Sequence, residues 1–383
     1  MNTLLRTLAL SALAMLLLVG RADAQLLKDL QHYRAPGQPG VNVFEAPKTN
    51  DTEFDGLALR VGGDFAIQFQ GLDQSNAAGN LVELAPNVTL PSANLNLDVQ
   101  FADGVRMHLR SYLSSKHHNE AWVKGGYLQV DNLDFISEGF LSGIMNYTRV
   151  RAGMDAFNYG DAHFRRSDNA STAYNPFVEN YIMDSFTTEP FMEVSVMKSG
   201  FLGVAGVTNG RLNQTPTSGD NGVAVFGKLG YDSQVSDDLR LRLTGSVYHS
   251  TDGGTRDYLY GGDRAGSRFH KILNATDDAK ADDMSPRFNP GFAYQTALQV
   301  NPFVKFRGLE FFGVVERAEG GVRLPAHPVD GVGARAVEVA HDVKVRPHVH
   351  ALVEPRLDGR EPRAIQADGR GLRVAVGCPD QVG

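Results

Sequence analysis

The amino-acid sequence predicts an all-β protein, and more specifically a transmembrane antiparallel β-barrel, on three observations. Apolar and polar residues alternate with a period of two over segments of up to about 13 residues, a length that suits a tilted strand crossing a bilayer. Short turns and long polar loops separate these segments. The polar positions are rich in Arg, Asp and Gln, which is too polar for the interior of a soluble β-sandwich.

Composition excludes several other classes of protein. The 383 residues are 42% hydrophobic, which is too little for a protein made of several membrane-spanning helices. The net charge of -7 leaves no basic surplus for nucleic acid, so no nucleic-acid partner is expected. The single cysteine, Cys378, excludes a disulfide framework and a cysteine-rich zinc site.

Residues 1–24 have the pattern of an export signal. Arg6 precedes an apolar stretch over residues 7–20, and Ala22 and Ala24 supply a small-x-small cleavage pattern before Gln25. The alternative is a transmembrane anchor, but the apolar stretch is short for that role. We therefore expect an exported chain whose mature part begins at Gln25.

The lead segment, residues 25–55, precedes the first alternating strand. It is polar and contains three prolines, and we expect it to be a periplasmic segment outside the barrel. Alternation then begins at residue 57 and continues to residue 69, with apolar side chains at most of the odd positions. Residues 56–317 are predicted to form the barrel.

Further strands follow the same pattern. Pairs of strands joined by short turns are predicted at residues 95–101 and 105–110, 223–231 and 239–247, and 292–301 and 309–315. Weaker candidates lie at residues 122–131, 142–151, 191–198, 201–208 and 256–262. About 12 strands are readable in this way. At roughly 23 residues per strand, the part of the barrel expected to be missing would hold about three or four more, which makes an even total near 16.

Turns and aromatic residues support a membrane barrel. The turns at Asp103-Gly104, Ser199-Gly200 and Arg307-Gly308 are short, whereas residues 74–92 and 251–290 read as long loops. Aromatic residues near the strand ends are expected to form interfacial girdles: Phe69, Phe101, Tyr112, Trp122, Tyr231, Tyr248 and Phe292. A secreted β-sandwich that binds glycans stays open as an alternative, since soluble sandwiches also alternate.

The polar face of the strands supplies the candidate functional residues. The predicted lumen-lining residues, which would set selectivity, are Arg60, Asp64, Asp98, Arg106, Arg110, Lys228, Arg240 and Arg242. Basic residues outnumber acidic ones in this set, which suggests a preference for anions. The alternative is that these charges only pair between neighbouring strands and stiffen the wall.

A loop at residues 158–189 combines charged and aromatic side chains at high density. It either folds into the lumen as a constriction or forms an exposed cap. The candidate constriction residues are Asp161, Arg165, Arg166 and Asp168.

Signatures of catalysis are absent from the sequence. There is no G-x-S-x-G, no phosphate-binding loop and no H-E-x-x-H, so an enzyme is not expected. His117, His118 and Glu120, and the aspartate pairs at residues 277–278 and 282–283, lack the spacing of known metal sites. No metal and no cofactor are expected.

Three segments carry a resemblance to a known family. These are YRAPGQPGVNVFEAPK at residues 33–48, the opening strand, and the NYGDAHFRRSDN…YNPFVENYIMDSFTTE stretch of residues 158–189. Together they resemble the porin-like outer-membrane proteins of Bacteroidetes-type bacteria, and the similarity spans about residues 25–317. The resemblance implies a barrel of around 16 strands and passive passage of solutes, with no defined substrate and no catalytic residue.

These observations lead us to expect a porin-like channel in the cell outer membrane of a Gram-negative bacterium, through which small hydrophilic solutes diffuse. Its expected partners are outer-membrane lipid and those solutes, with a homotrimer suggested by analogy alone. The competing hypothesis is a barrel that its own loops plug, serving as a structural or adhesive surface protein without conductance.

The last part of the chain departs from the pattern. Residues 313–383 contain no aromatic residue and no Ser, Thr, Asn or Met, and prolines interrupt them repeatedly. We expect residues 318–383 to be a disordered, non-barrel tail that arose from a shift of reading frame and replaced the closing strands. A polar periplasmic tail is the alternative, and translation of the downstream DNA in the other two frames distinguishes the two.

Overall fold

The structure is a computed structural model. It describes the following residues: 29–35, 38–49, 52–71, 73–113, 122–165, 189–210, 222–251, 259–260, 269–270, 276, 284–285, 292–323, 338–344 and 348–353. The predicted signal segment, residues 1–24, lies outside this set, and so do His117, His118, Glu120 and the aspartates at residues 277–278 and 282–283.

The described chain is almost entirely β-structure. The strands are β1 (Ala58–Gln70), β2 (Asn87–Ala102), β3 (Val105–Leu113), β4 (Trp122–Val130), β5 (Thr148–Asp155), β6 (Glu189–Lys198), β7 (Phe201–Thr208), β8 (Ala224–Ser236), β9 (Leu239–Ser250), β10 (Phe269–His270), β11 (Met284–Ser285), β12 (Tyr294–Phe306), β13 (Leu309–Arg323), β14 (Glu338–Lys344) and β15 (His348–Val353). A four-residue helix, α1 (Ser142–Met145), precedes β5, and 3-10 turns lie at Gln38–Gly40 and Ala162–Arg165. Among the described residues no helix is long and apolar enough to cross a membrane.

One antiparallel sheet contains all strands except the small β10–β11 pair. The strands from β1 to β9 follow one another in chain order, β12 and β13 continue the sequence, and β14 and β15 both pair with β13. In the part of the chain that the structure describes, β1 pairs only with β2. The described sheet is therefore a row of eleven long neighbouring strands with β1 at one edge.

The two faces of the sheet are inverted relative to a soluble protein. On β9, Arg242 and Thr244 are buried, whereas Leu241, Leu243 and Val247 are exposed. Other strands show the same division, with buried polar side chains at Asn96, Asp98, Gln129, Glu193, Lys228, Gln299 and Asn301, and exposed apolar ones at Leu95, Leu128, Val194, Leu229, Leu298 and Val300. The sheet therefore has a buried polar face and an exposed apolar face, as the alternation predicts.

The predicted short turns are confirmed. Gly104 has a φ of +64°, and a Cβ atom there would lie 2.6 Å from the side chain of Asn132, so the β2–β3 turn requires glycine. Ser199 and Gly200 join β6 to β7 with φ angles of 50° and 84°. Arg307, with a φ of 54°, turns the chain between β12 and β13.

Several details of the strand prediction are wrong. The predicted strand at residues 142–151 begins only at Thr148, because Ser142–Met145 form the short helix α1. The predicted loop at residues 74–92 ends earlier, since β2 begins at Asn87. Leu259 and Tyr260 form a turn instead of the predicted strand at residues 256–262, and the rest of that range lies outside the described residues.

The aromatic girdle is only partly as predicted. Phe69, Phe101 and Tyr231 are exposed on the outer face. Tyr112, Tyr248 and Phe292 are buried instead, and Tyr248 and Phe292 belong to an apolar cluster with Phe157 and Phe226. Alternation along a strand decides which face a side chain points to, whatever its distance from the strand end. Closeness to a strand end was therefore not enough to predict that an aromatic side chain faces outward.

Strand β13 continues beyond the predicted end of the barrel. Residues 318–323 pair with β12, for example Ala318 with Ala297 and Glu319 with Thr296. Ala318 is fully buried, whereas Glu319 is half exposed, so the alternation persists across the boundary set at residue 317. Strands β14 and β15 also lie within the predicted tail. The boundary at residue 317 is therefore wrong, and the remaining tail lies outside the described residues.

Candidate functional site: the polar interior of the sheet

Two segments that are not strands lie against the polar face of the sheet. One is the lead segment, of which residues 29–35 and 38–49 contact strands from β2 to β13. The other is the segment after β5, residues 156–165, which we call the inner loop. The prediction that the lead is a segment outside the barrel is wrong, because its polar side chains find their ionic partners inside the sheet.

Four charged side chains join both segments to the sheet, and we call them the Glu45 cluster: Glu45, Asp161, Lys228 and Arg242. Lys228 Nζ lies 3.0 Å from Glu45 Oε1 and 2.6 Å from Asp161 Oδ1. Arg242 donates to Glu45 Oε2 at 2.8 Å and, through Nε, to Asp161 Oδ2 at 2.9 Å. Two carboxylates from different segments therefore share the same two cations of β8 and β9.

Further hydrogen bonds complete the coordination of the two carboxylates. Asn158 Nδ2 donates to Glu45 Oε1 at 2.9 Å, and Thr244 Oγ1 donates to Asp161 Oδ2 at 2.9 Å. Burial by itself would raise the pKa of Glu45, but Lys228 and Arg242 hold it well below its usual range. The same balance lowers the pKa of Asp161. Both carboxylates are therefore ionised at neutral pH.

A second ionic contact holds the end of the lead beside β4 and β5. Lys48 Nζ lies 3.0 Å from Asp131 Oδ1 and donates to the carbonyl of Thr148 at 2.8 Å. Arg149 Nε donates to the same Asp131 oxygen at 2.8 Å, and its NH1 group donates to the carbonyl of Ala46 at 2.7 Å. The lead is thus bound through its backbone as well as its side chains.

An aromatic contact holds the middle of the lead. The Phe44 ring is fully buried, with its centroid 5.2 Å from that of Phe303, 6.4 Å from that of Phe312 and 5.9 Å from that of Phe164. Phe303 and Phe312 come from β12 and β13, and Phe164 comes from the inner loop. Lead, loop and sheet therefore share one apolar core inside a polar interior.

The inner loop is bound at its start as well. Tyr159 donates to Glu316 at 3.0 Å, and Tyr260 donates to the same carboxylate oxygen at 2.8 Å. The backbone N–H of Asn158 donates to Glu193 at 2.9 Å, and Arg151 pairs with Glu193 at 2.9 Å. Residues 158–165 therefore lie against the polar face of the sheet, and their role as a constriction stays a prediction.

The predicted lumen-lining residues differ in burial, and their role in selectivity stays a prediction. Asp98, Arg106, Lys228 and Arg242 are buried on the polar face, and Arg106 pairs with Asp98 at 2.8 Å. Three others are partly exposed on the same side, namely Arg60, Arg110 and Arg240. Arg240 pairs with Asp232 at 2.7 Å, and Arg60 lies 3.6 Å from Asp29 of the lead. The side chain of Asp64 lies outside the described set.

Two of the four constriction candidates lie in the described part of the chain, and two lie outside it. Asp161 and Arg165 are buried in the interior, and Arg165 contacts Asn42 of the lead and Glu310 of β13. Arg166 and Asp168 lie outside the described residues.

Sequence reasoning missed most of the interior acids. The buried acidic side chains of the described chain are Asp98, Asp131, Asp155, Asp161, Glu189, Glu193, Glu310 and Glu316, and the buried Lys and Arg side chains are Arg106, Lys124, Arg149, Arg165, Lys228 and Arg242. The basic excess that suggested anion preference is therefore absent among the buried side chains of the described residues. Several of the acids lie at strand ends or on the less regular strands, where the alternation gave no clear face. Glu45 and Lys48 were missed because the lead was placed outside.

A small cavity remains between the lead, the inner loop and strands β3 to β6. Its volume is about 60 Å³, and the charged residues in its wall are Arg34, Glu45, Arg106, Arg149, Arg151 and Glu193. Within the described residues no group of three or more His, Cys, Asp or Glu side chains is arranged to hold a metal ion.

Comparison with known proteins gives little. No family model matches the chain, and no curated protein matches it. Among solved structures, the chain is similar to an outer membrane protein of Vibrio cholerae, OmpT with loop L8 deleted, with 9% sequence identity and a TM-score of 0.28 over 69% of this chain and 82% of that chain.

Proposed function

We propose that the protein is an outer-membrane β-barrel through which small hydrophilic solutes pass by diffusion, along an interior that the lead and the inner loop narrow. The observation that carries this proposal is the inverted sheet, with buried charges inside and exposed Leu, Val and Phe outside. An exposed apolar face on strand after strand is costly in water, and it is matched by lipid.

Strand geometry supports the same environment. The longest strands, β2 with 16 residues and β13 with 15, exceed the roughly 9–11 residues that a tilted strand needs to cross the hydrocarbon core. Only helices and closed barrels satisfy every backbone hydrogen bond in lipid, and the described chain is almost entirely β-structure. Outer-membrane location, as in the family that the sequence resembles, is therefore part of the proposal.

The interior sets the expected transport property. Arg106, Arg151 and Arg242 each lie beside a carboxylate, so charges of opposite sign alternate along this part of the wall. Such an interior favours small polar solutes over apolar ones. We expect low conductance, because the Glu45 cluster and the Phe44 contacts occupy the space between facing strands.

The second candidate function is a barrel without conductance that serves as a structural or adhesive surface protein. It is favoured by the same interior contacts: Glu45, Lys48 and Phe44 connect the lead to five strands and to the inner loop. If these contacts persist in the membrane, solutes find no continuous path. Association as a homotrimer stays a prediction for either candidate.

Planar-bilayer recording with the purified full chain separates the two candidates. The channel predicts discrete conductance steps of low amplitude and swelling of liposomes in solutions of small sugars. Absence of both, in protein that shows heat-modifiable migration on gels, would remove the channel and leave the plugged barrel. Recovery of the chain in the soluble fraction, without heat-modifiable migration, would contradict the barrel itself.

A further inference from the structure

The cavity beside the lead has an unusual concentration of guanidinium groups. Four arginines line it: Arg34 from the lead, Arg106 from β3, and Arg149 and Arg151 from β5. Two carboxylates, Glu45 and Glu193, line it as well, together with neutral groups that include Ser195 and Gln129. The kind of ligand that the cavity can bind depends on which of these charges already have a partner of opposite charge.

Both carboxylates of the cavity wall already have cationic partners. Glu45 contacts Lys228 and Arg242, at 3.0 and 2.8 Å. Glu193 contacts Arg151 at 2.9 Å and also accepts the backbone N–H of Asn158. Neither carboxylate therefore presents an uncompensated negative charge to the cavity.

Three of the four arginines also have carboxylate partners. Arg106 pairs with Asp98 at 2.8 Å, Arg149 with Asp131 at 2.8 Å, and Arg151 with Glu193. Arg106 NH2 also donates to Gln129 at 3.0 Å, and Arg151 NH2 to the carbonyl of Ala156 at 3.4 Å. All three nitrogens of Arg149 donate, to Asp131 and to the carbonyls of Ala46 and Pro47, so Arg149 contributes chiefly its charge. Nε of Arg106 and Nε of Arg151 are buried without a hydrogen-bond partner among the described residues.

Arg34 is the exception among the four. Its NH2 group donates to the carbonyl of Phe164 at 2.6 Å, and its guanidinium lies over the Phe164 ring, 5.2 Å from the centroid. In the described part of the chain no carboxylate lies within 4.0 Å of it, and its buried Nε has no hydrogen-bond partner. Burial lowers the pKa of Arg34 to about 10, which leaves it charged at neutral pH.

Crowding of like charges is the second feature of the site. Arg106 and Arg151 lie over the same Tyr127 ring, 5.7 and 4.0 Å from its centroid. The ring face attracts both cations, but it cannot neutralise a full charge. An anion between the arginines would satisfy the remaining donors and offset the repulsion.

We propose that Arg34, Arg106, Arg149 and Arg151 form a binding site for one small oxyanion, of the size and charge of inorganic phosphate or sulfate. A cavity needs about 10–15 Å³ of space of this kind to hold one water molecule, so about 60 Å³ gives room for an ion of a few heavy atoms. Arginine provides the planar, forked donors that oxyanions accept in pairs. The site requires the interior of the sheet but not conduction, so it fits either function proposed above.

The test measures thermal unfolding of the detergent-solubilised full chain by heat-modifiable gel migration. Inorganic phosphate is titrated against chloride at constant ionic strength and pH 7. We expect a saturable rise of the unfolding temperature with phosphate, and a ten-fold or larger loss of phosphate affinity in Arg34→Gln, because one charge-assisted donor pair is removed. Arg307→Gln is the matched control, since Arg307 lies in an exposed turn with Asp238, and it should retain the wild-type response.

A second variant covers the case in which Arg34→Gln does not fold. Ser195→Asp places a carboxylate on the cavity wall and should abolish the phosphate response while leaving all four arginines in place. Arg34→Lys should keep a weakened response, because lysine retains the charge without the fork. Equal phosphate responses in wild type, Arg34→Gln and Ser195→Asp would overturn the site, as would a folded wild-type protein with no saturable response. Conductance is recorded separately, so loss of the channel function leaves this result interpretable.

Discussion

Glu45 and Arg242 lie 197 residues apart in the chain, and their side chains meet at 2.8 Å inside the sheet. The contact joins the segment before the first strand to β9, on the far part of the strand order. Because Asp161 of the inner loop shares the same arginine, one side chain of the sheet holds both inner segments. A change at Arg242 should therefore affect both the stability of the folded protein and the passage of solutes along the interior.

Removing Lys228 should destabilise the folded protein strongly. Lys228→Met leaves Glu45 and Asp161 with one cation fewer in a buried site, and loss of one partner from a buried ion pair costs about 3–5 kcal/mol. Denaturant unfolding in detergent measures the change. Adding Glu45→Gln to Lys228→Met should recover part of the loss, because one uncompensated buried charge disappears. The control, Arg307→Gln, breaks an exposed pair and should cost about 0–1 kcal/mol. Equal losses in Lys228→Met and Arg307→Gln would contradict the role of the Glu45 cluster.

Acid should release the lead from the sheet. The pKa values of Glu45 and Asp161 are lower in the folded protein than their ordinary values of 4.5 and 3.8. Their contribution to stability is therefore complete above those ordinary values, and it is lost as the pH falls through the lower, folded pKa values. Hydrogen exchange of residues 38–49 at pH 7, 5 and 3 measures the release. We expect protection at pH 7 and 5 and reduced protection at pH 3, and in Glu45→Gln this difference should shrink.

Phe44 should control both stability and passage of solutes. Phe44→Ala removes the ring that contacts Phe303, Phe312 and Phe164, and buried Phe→Ala changes cost about 3–5 kcal/mol. A loosened lead should also raise single-channel conductance in planar bilayers. Phe135→Ala, in an exposed loop, is the control and should change stability by about 0.5 kcal/mol or less, with unchanged conductance. A stable Phe44→Ala protein with wild-type conductance would show that the lead does not narrow the path.

The outer face of β8 provides a test of the membrane environment. Leu229 is 74% exposed near the middle of the strand, and Val235 is 58% exposed near the turn to β9. In a bilayer, Leu229→Arg should cost about 2–4 kcal/mol of folding free energy and Val235→Arg about 0–1, because the penalty for a charge falls from midplane to interface. Folding into lipid vesicles, followed by urea titration, gives both values. Equal and small effects would indicate that the face contacts water.

Alternation carried most of the fold prediction. A period of two fixes which side chains share a face, so Asp98, Arg106, Lys228 and Arg242 could be placed inside from the sequence alone. The turn at Gly104 was equally readable, because a glycine in a short turn can adopt the positive φ that the structure shows there. The helix α1 was not, since four residues are too few to establish a helical period.

The sequence allowed some residues of the Glu45 cluster to be predicted, but not the contacts between them. Residues of the lead have no alternation, and nothing local shows that Glu45 pairs with residues almost 200 positions away. Asp161 was recognised because charged and aromatic residues are dense around it, yet its partners Lys228 and Arg242 were assigned to the wall without a link to it. Long-range ionic partners are decided by how the sheet curves, which periodicity does not encode.

The position of Phe44 has a consequence for the order of assembly. The lead precedes every described strand and so is synthesised before them, but the surfaces that hold Phe44 belong to β12 and β13, which are synthesised much later. Contacts between distant parts of a chain form slowly, because the intervening residues must be ordered before the contact can form. The Phe44 contacts of the lead can therefore form only after the sheet has been built as far as β13.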